Sequence, residues 1–170
     1  MFQSVRDFLR RRDLRKHSST VPTGIRPLAG IRKVAVFLPA AEADAPTLSL
    51  IRDALSGKEL SIFVISPERK ASPVSGAVLL TPSHMNILGR VSSSRKVPRT
   101  SVGEDLFISL FEEDPFAVEY AARCSSAAFK AGRSQLEGSI YDLVVMTPDG
   151  ERGTCAEAFS EMVRMMQLVK

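Results

Sequence analysis

The chain is poor in the residues that mark most small metal-binding and nucleic-acid-stacking domains. It has no tryptophan, two tyrosines, two cysteines and two histidines among 170 residues. Cys124 and Cys155 lie far apart and form neither a CxxC pair nor a Cys/His spacing. That excludes a zinc module and offers no disulfide framework, so both read as small core or helix residues. His17 and His84 belong to different segments and build no constellation. His17 reads as solvated beside a basic run. His84 follows an expected strand, where α/β proteins often bind ligands, but a helix-start or loop role fits it better. No run of about 18 apolar residues exists, which excludes a transmembrane helix. The first arginines are not followed by an apolar stretch, which excludes a secretory signal, and Asp7 and Asp13 weigh against a transit peptide. The expected location is cytoplasmic, with a peripheral place at the inner membrane as a second option. The lack of interleaved Tyr and Trp argues against single-strand stacking.

What is present is a folded-protein composition with an uneven charge. Hydrophobic residues make up 44% and charged residues 25%, which excludes wholesale disorder, and the length fits one domain. Residues 1–33 hold nine basic residues and two acidic ones, a net of +7. Residues 34–170 hold 14 basic and 17 acidic residues, a net of −3. The formal charge of +4 therefore describes no single part of the molecule.

Two segments are expected: a basic helix with its linker over 1–31 and an α/β domain over 32–170. In FQSVRDFLRRRDLRK, Phe2, Val5, Phe8, Leu9 and Leu14 follow helical spacing, and arginines fill the rest of the circumference. The stretch HSSTVPTGIRPLAG is a linker or strap. RKVAVFL and LSIFVIS read as buried strands around a helix over Ala45–Ser56, a parallel βαβ unit. Further strands are expected at Gly76–Thr81, Asp105–Phe111, Ala127–Ala131 and Tyr141–Thr147. Further helices are expected at Pro115–Ser126 and Cys155–Val169, the latter opened by a Thr154/Glu157 capping box. Met162, Met165 and Met166 in the last helix read as core rather than as a binding face. The fold class is α/β: three layers around a mostly parallel sheet of five or six strands.

Familiar phosphate and nucleophile motifs are missing. After the first strand stands PAAEADAP, without glycine and with Glu42 and Asp44, which excludes a dinucleotide-type phosphate turn there. No GxxxxGK[ST] or GxSxG sequence occurs, so neither P-loop nor elbow-serine chemistry is supported. No cofactor and no metal are expected. Glu112, Glu113 and Asp114 could serve as acids or metal ligands, but Asp114 before Pro115 fits a helix N-cap better. FKAGR places Lys130, Gly132 and Arg133 after a short strand. They could hold an anion, although a tight turn with solvated basic residues is the simpler reading.

The stretch DLFISLFEEDPFAVEYAARCSSAAFKAGR, with HMNILGR upstream, YDLVVMT downstream and RKVAVFL after a basic helix, resembles an uncharacterised family of small Bacteroidota proteins. That resemblance covers nearly the whole chain and implies an α/β fold in a cytoplasmic bacterial setting. The family commonly carries an aromatic between the Asn and Gly of its upstream loop. Here Ile87 and Leu88 stand between Asn86 and Gly89. A more distant resemblance is to the N-terminal half of heptosyltransferase-type glycosyltransferases. Their nucleotide-sugar site lies largely in a second domain, for which this length has no room.

These observations lead to a non-catalytic binding or adaptor protein. Its basic arm (Arg6, Arg10, Arg11, Arg12, Arg15 and Lys16) is expected to meet an anionic partner, either RNA, including the ribosome, or membrane headgroups. A protein groove for the apolar stripe is a third option, and packing of the helix onto its own domain a fourth. The alternative function is a small-molecule binder or degenerate glycosyltransferase-like enzyme at the strand ends, using Asn86, Gly89, Lys130, Gly132 and Arg133 with Glu112 and Glu113.

Overall fold

The two apolar runs that open the domain become neighbouring parallel strands. In the computed structural model, which describes residues 2–17, 26–92, 100, 103–146 and 153–169, β1 (Lys33–Pro39) pairs with β2 (Glu59–Ile65) along its whole length. β3 (Val78–Leu80), β4 (Leu106–Ser109), β5 (Phe129–Gly132) and β6 (Leu143–Val144) complete six parallel strands in the order β3-β2-β1-β4-β5-β6. This is the order of a doubly wound, Rossmann-like sheet.

Strand alternation divides the core in two. Val34, Val36 and Leu38 face the layer of α2 (Ala45–Ala54) and α4 (Cys155–Leu168). Ala35 and Phe37 face α3 (Phe116–Cys124). Phe37 is stacked between Phe63 and Phe107, with ring centroids 4.8 Å away on each side. The step from β1 to β2 runs opposite to the step from β4 to β5, so crossovers of one hand place α2 and α3 on opposite faces. α1 (Phe2–Leu14) packs against α3.

Local chemistry sets the helix starts. Asp44 caps α2 by accepting the Thr47 N–H at 2.9 Å, and hydrogen bonding from the Thr47 side chain and then its N–H holds the Asp44 carboxyl below the usual range. Thr154 and Glu157 form the expected capping box at α4. α3 differs from the expectation: Pro115 is its cap residue and no side chain caps it. Asp114 turns inward, accepting the Tyr141 hydroxyl at 2.6 Å and the Ser109 hydroxyl.

The last two strands are shorter than their apolar runs. Of YDLVVMT only Leu143 and Val144 pair, and Thr147 lies outside the described residues. Most of the expected linker, 18–25, and most of SSSRK also lie outside them. Cys124 sits exposed on α3 and Cys155 is buried at the start of α4. Met162 and Met166 are buried as core, whereas Met165 is partly exposed.

Candidate functional site

The basic helix is pinned along one side. Asp13 and Leu14 are buried. The Asp13 carboxylate accepts Arg90 Nε–H at 2.7 Å and forms an ion pair with the same guanidinium, which lies 4.7 Å from the Tyr120 ring centroid. His17 meets Tyr120 edge-on at 5.3 Å. Arg10 donates from Nε to the Leu88 carbonyl at 2.7 Å and lies 4.9 Å from the Phe116 ring centroid. Phe116 and Tyr120, one turn apart on α3, thus each receive a guanidinium, one from α1 and one from the loop before β4. Burial against the ring lowers the Arg10 pKa below its ordinary value.

The rest of α1 faces solvent. Arg6, Arg11, Arg12, Arg15 and Lys16 are exposed, and among the described residues none of them forms an ion pair. Val5, Phe8 and Leu9 are exposed between them. The Phe2 side chain lies outside the described part of the molecule.

Beside α1 stands a tied turn. Met85 and Val91 form an antiparallel bridge. Asn86 Oδ1 accepts the N–H groups of Leu88 and Arg90, each at 3.0 Å, and the Asn86 carbonyl accepts Gly89 N–H at 2.8 Å. Gly89 has φ +87°, and a Cβ there would come within 2.8 Å of the Arg10 guanidinium. Asn86 and Gly89 therefore shape this turn, and Gly89 lets α1 approach it. The turn presents Ile87, which is 87% exposed. His84 closes the 3-10 turn Pro82–His84, its Nδ1 accepting Thr81 N–H at 3.1 Å, which fits the loop role.

The carboxyl ends of the strands open into a crevice at β1/β4, where the strand order reverses. Pro39, Phe111 and Glu113 border both of its halves. One half, about 690 Å³, is lined by Glu42, Glu112, Arg133 and Thr154. The other, about 560 Å³, is mostly apolar, with Ile65, Met85 and Phe116 in its walls and Arg10 of α1 at its side. Glu42 accepts the Cys155 N–H at 2.6 Å, so the start of α4 already holds a carboxylate. The Cys155 thiol donates to the Leu110 carbonyl, and burial, with Glu42 beside it, pushes its pKa up to about 12. Such a thiol stays protonated at neutral pH.

Lys130, Gly132 and Arg133 do not act together, and the turn with solvated basic residues is overturned. Lys130 is 1% exposed and donates to the Ala122 and Ser125 carbonyls at 2.7 and 2.8 Å, closing the C-terminal end of α3. Gly132 lies under Tyr141, whose ring would stand 2.6 Å from any Cβ there. Only Arg133 reaches the crevice. It is 5% exposed and bonds to Glu112 at 3.0 Å and to the Gly153 carbonyl at 2.6 Å. No group of three or more His, Cys, Asp or Glu among the described residues is placed to hold a metal.

Residues 6–162 match the model of a family of unknown function, DUF6913. The chain belongs to the DUF6913 family. The match begins inside α1 and ends inside α4, so the DUF6913 unit takes in the basic helix together with all six strands. No curated protein and no solved structure matches the chain.

Sequence reasoning did not find the pairings that fix this surface, Asp13 with Arg90 and Arg90 with Tyr120. Their partners are distant in sequence (Asp13 and Arg90 are 77 residues apart), so no local spacing announces them. The single available signal was an acid, Asp13, set within the arginine run.

Proposed function

We propose that this DUF6913 protein is a cytoplasmic, non-catalytic adaptor that grips an anionic partner with the outward face of α1. The observation that carries this reading is the set of five exposed cations, Arg6, Arg11, Arg12, Arg15 and Lys16, free of ion pairs among the described residues. Like charges one turn apart repel one another, and an anionic surface relieves that repulsion. The docking of Arg10 and Asp13 on α3 supports the reading, because a fixed helix presents its charges at lower entropic cost than a loose arm.

A second reading, a small-molecule binder or glycosyltransferase-like relic, rests on the two-part crevice at the switch point. Among the described residues its polar half sets Glu42, Glu112 and Glu113 against one cation, Arg133, a lining that disfavours a nucleotide's phosphates.

The test keeps the full chain and replaces Arg11, Arg12, Arg15 and Lys16 together with Gln. All four are exposed, so the fold, followed by circular dichroism, stays intact. The original chain is expected to be retained on a sulfated polyanion matrix and to leave it only with added salt. The variant is expected to leave early. Equal retention of the two proteins sinks the reading.

A further inference from the structure

We propose that the anionic partner is a phospholipid bilayer surface, met by a two-part footprint of α1 and the 86–90 turn; this rests on the anionic-partner reading above. Val5 is 55% exposed, Phe8 65%, Leu9 41% and Ile87 87%. Leu9 and Leu88 line one shallow groove together with Arg12, Lys16 and the Arg90-paired Asp13, so helix and turn adjoin there. The turn is tied by both Asn86 side-chain bonds and by Arg10 on the Leu88 carbonyl. It therefore holds Ile87 out in a fixed position. Large exposed apolar side chains set beside exposed cations mark an interaction surface.

The chemistry separates the candidate partners. RNA rewards the arginines through its phosphates but leaves Val5, Leu9 and Ile87 in water, and among the described side chains the footprint offers one aromatic ring, Phe8, for stacking. An anionic bilayer accepts both sets at once. Apolar tips enter the acyl boundary, while guanidinium and ammonium groups remain at the headgroups on their aliphatic stems. No helix among the described residues is long and apolar enough to cross a membrane, so the contact is one of a helix lying in the interface.

The test uses the full chain, vesicles of phosphatidylglycerol with phosphatidylcholine, vesicles of phosphatidylcholine alone, and a single-stranded RNA. The variant carries Phe8→Ser with Ile87→Ser, which leaves the charge unchanged and alters only exposed side chains. The unaltered chain is expected to bind the anionic vesicles and not the neutral ones. The variant is expected to lose at least about tenfold in vesicle affinity, with its retention on the polyanion matrix unchanged. Equal vesicle binding by the variant overturns the bilayer proposal. Binding to RNA without binding to vesicles also overturns it and leaves the anionic-partner reading standing. Binding to no anionic surface overturns both.

Discussion

Asp114 stands directly before Pro115, where a carboxylate ordinarily caps the following helix. Here its oxygens accept the Ser109 and Tyr141 hydroxyls instead, and burial raises its pKa to about 6 against the lowering effect of those two bonds. An acid whose folded pKa lies above its unfolded value is stabilising when protonated. That contribution is full below about pH 4 and is lost as pH rises to about 6, at a cost of about 3 kcal/mol. Asp114→Asn is therefore expected to flatten the fall in urea stability between about pH 4 and 6; an unchanged slope contradicts the assignment. At this scale the sequence showed which residues carry charge but not what they touch. Lys130, Gly132 and Arg133 have the look of a basic turn. Yet Lys130 closes a helix end, Gly132 exists to admit the Tyr141 ring, and Arg133 braces the Leu110, Glu112 and Gly153 backbone and side-chain oxygens. Each of those partners is at least five residues distant in the chain, beyond the reach of local pattern.

At the scale of elements, legibility was much better. Apolar runs bounded by proline gave β1 and β2 to within one residue at each end, because buried parallel strands need continuous apolar sequence. The Thr154/Glu157 capping box gave the start of α4, because both of its bonds are local, whereas the Asp44 cap of α2 was not read from the sequence. The extent of β6 was overestimated, since hydrophobicity marks burial and not hydrogen-bond pairing. The placement of α1 depended on a clamp formed by Asp13, Arg90 and Tyr120. Arg90→Ala removes both the partly buried ion pair and the contact with the ring, together worth ~1–2 kcal/mol. Amide hydrogen exchange in α1 is expected to quicken by about tenfold, while exchange in β1 and β4 stays as it was. Unchanged exchange in α1 would show that Arg10 and Leu14 suffice to hold the helix.

At the scale of the whole molecule, the charge asymmetry visible in the sequence becomes a surface. The doubly wound sheet puts α3 on one face, α3 carries α1, and α1 turns five cations and an apolar stripe outward. The family match spans helix and sheet alike, and the bonds of Arg10 and Asp13 hold α1 against the rest of the domain. The sequence indicated the arm's sign, but the outward direction of its apolar stripe depends on which residues the domain holds. The most direct measurement of this account is the affinity of the full chain for phosphatidylglycerol-containing vesicles between about 50 and 300 mM salt. The unaltered chain is expected to bind tightly at the low end and to weaken by more than about tenfold across that range, while the variant with Gln at 11, 12, 15 and 16 binds weakly throughout. Salt-independent binding, or equal binding by that variant, would contradict the account.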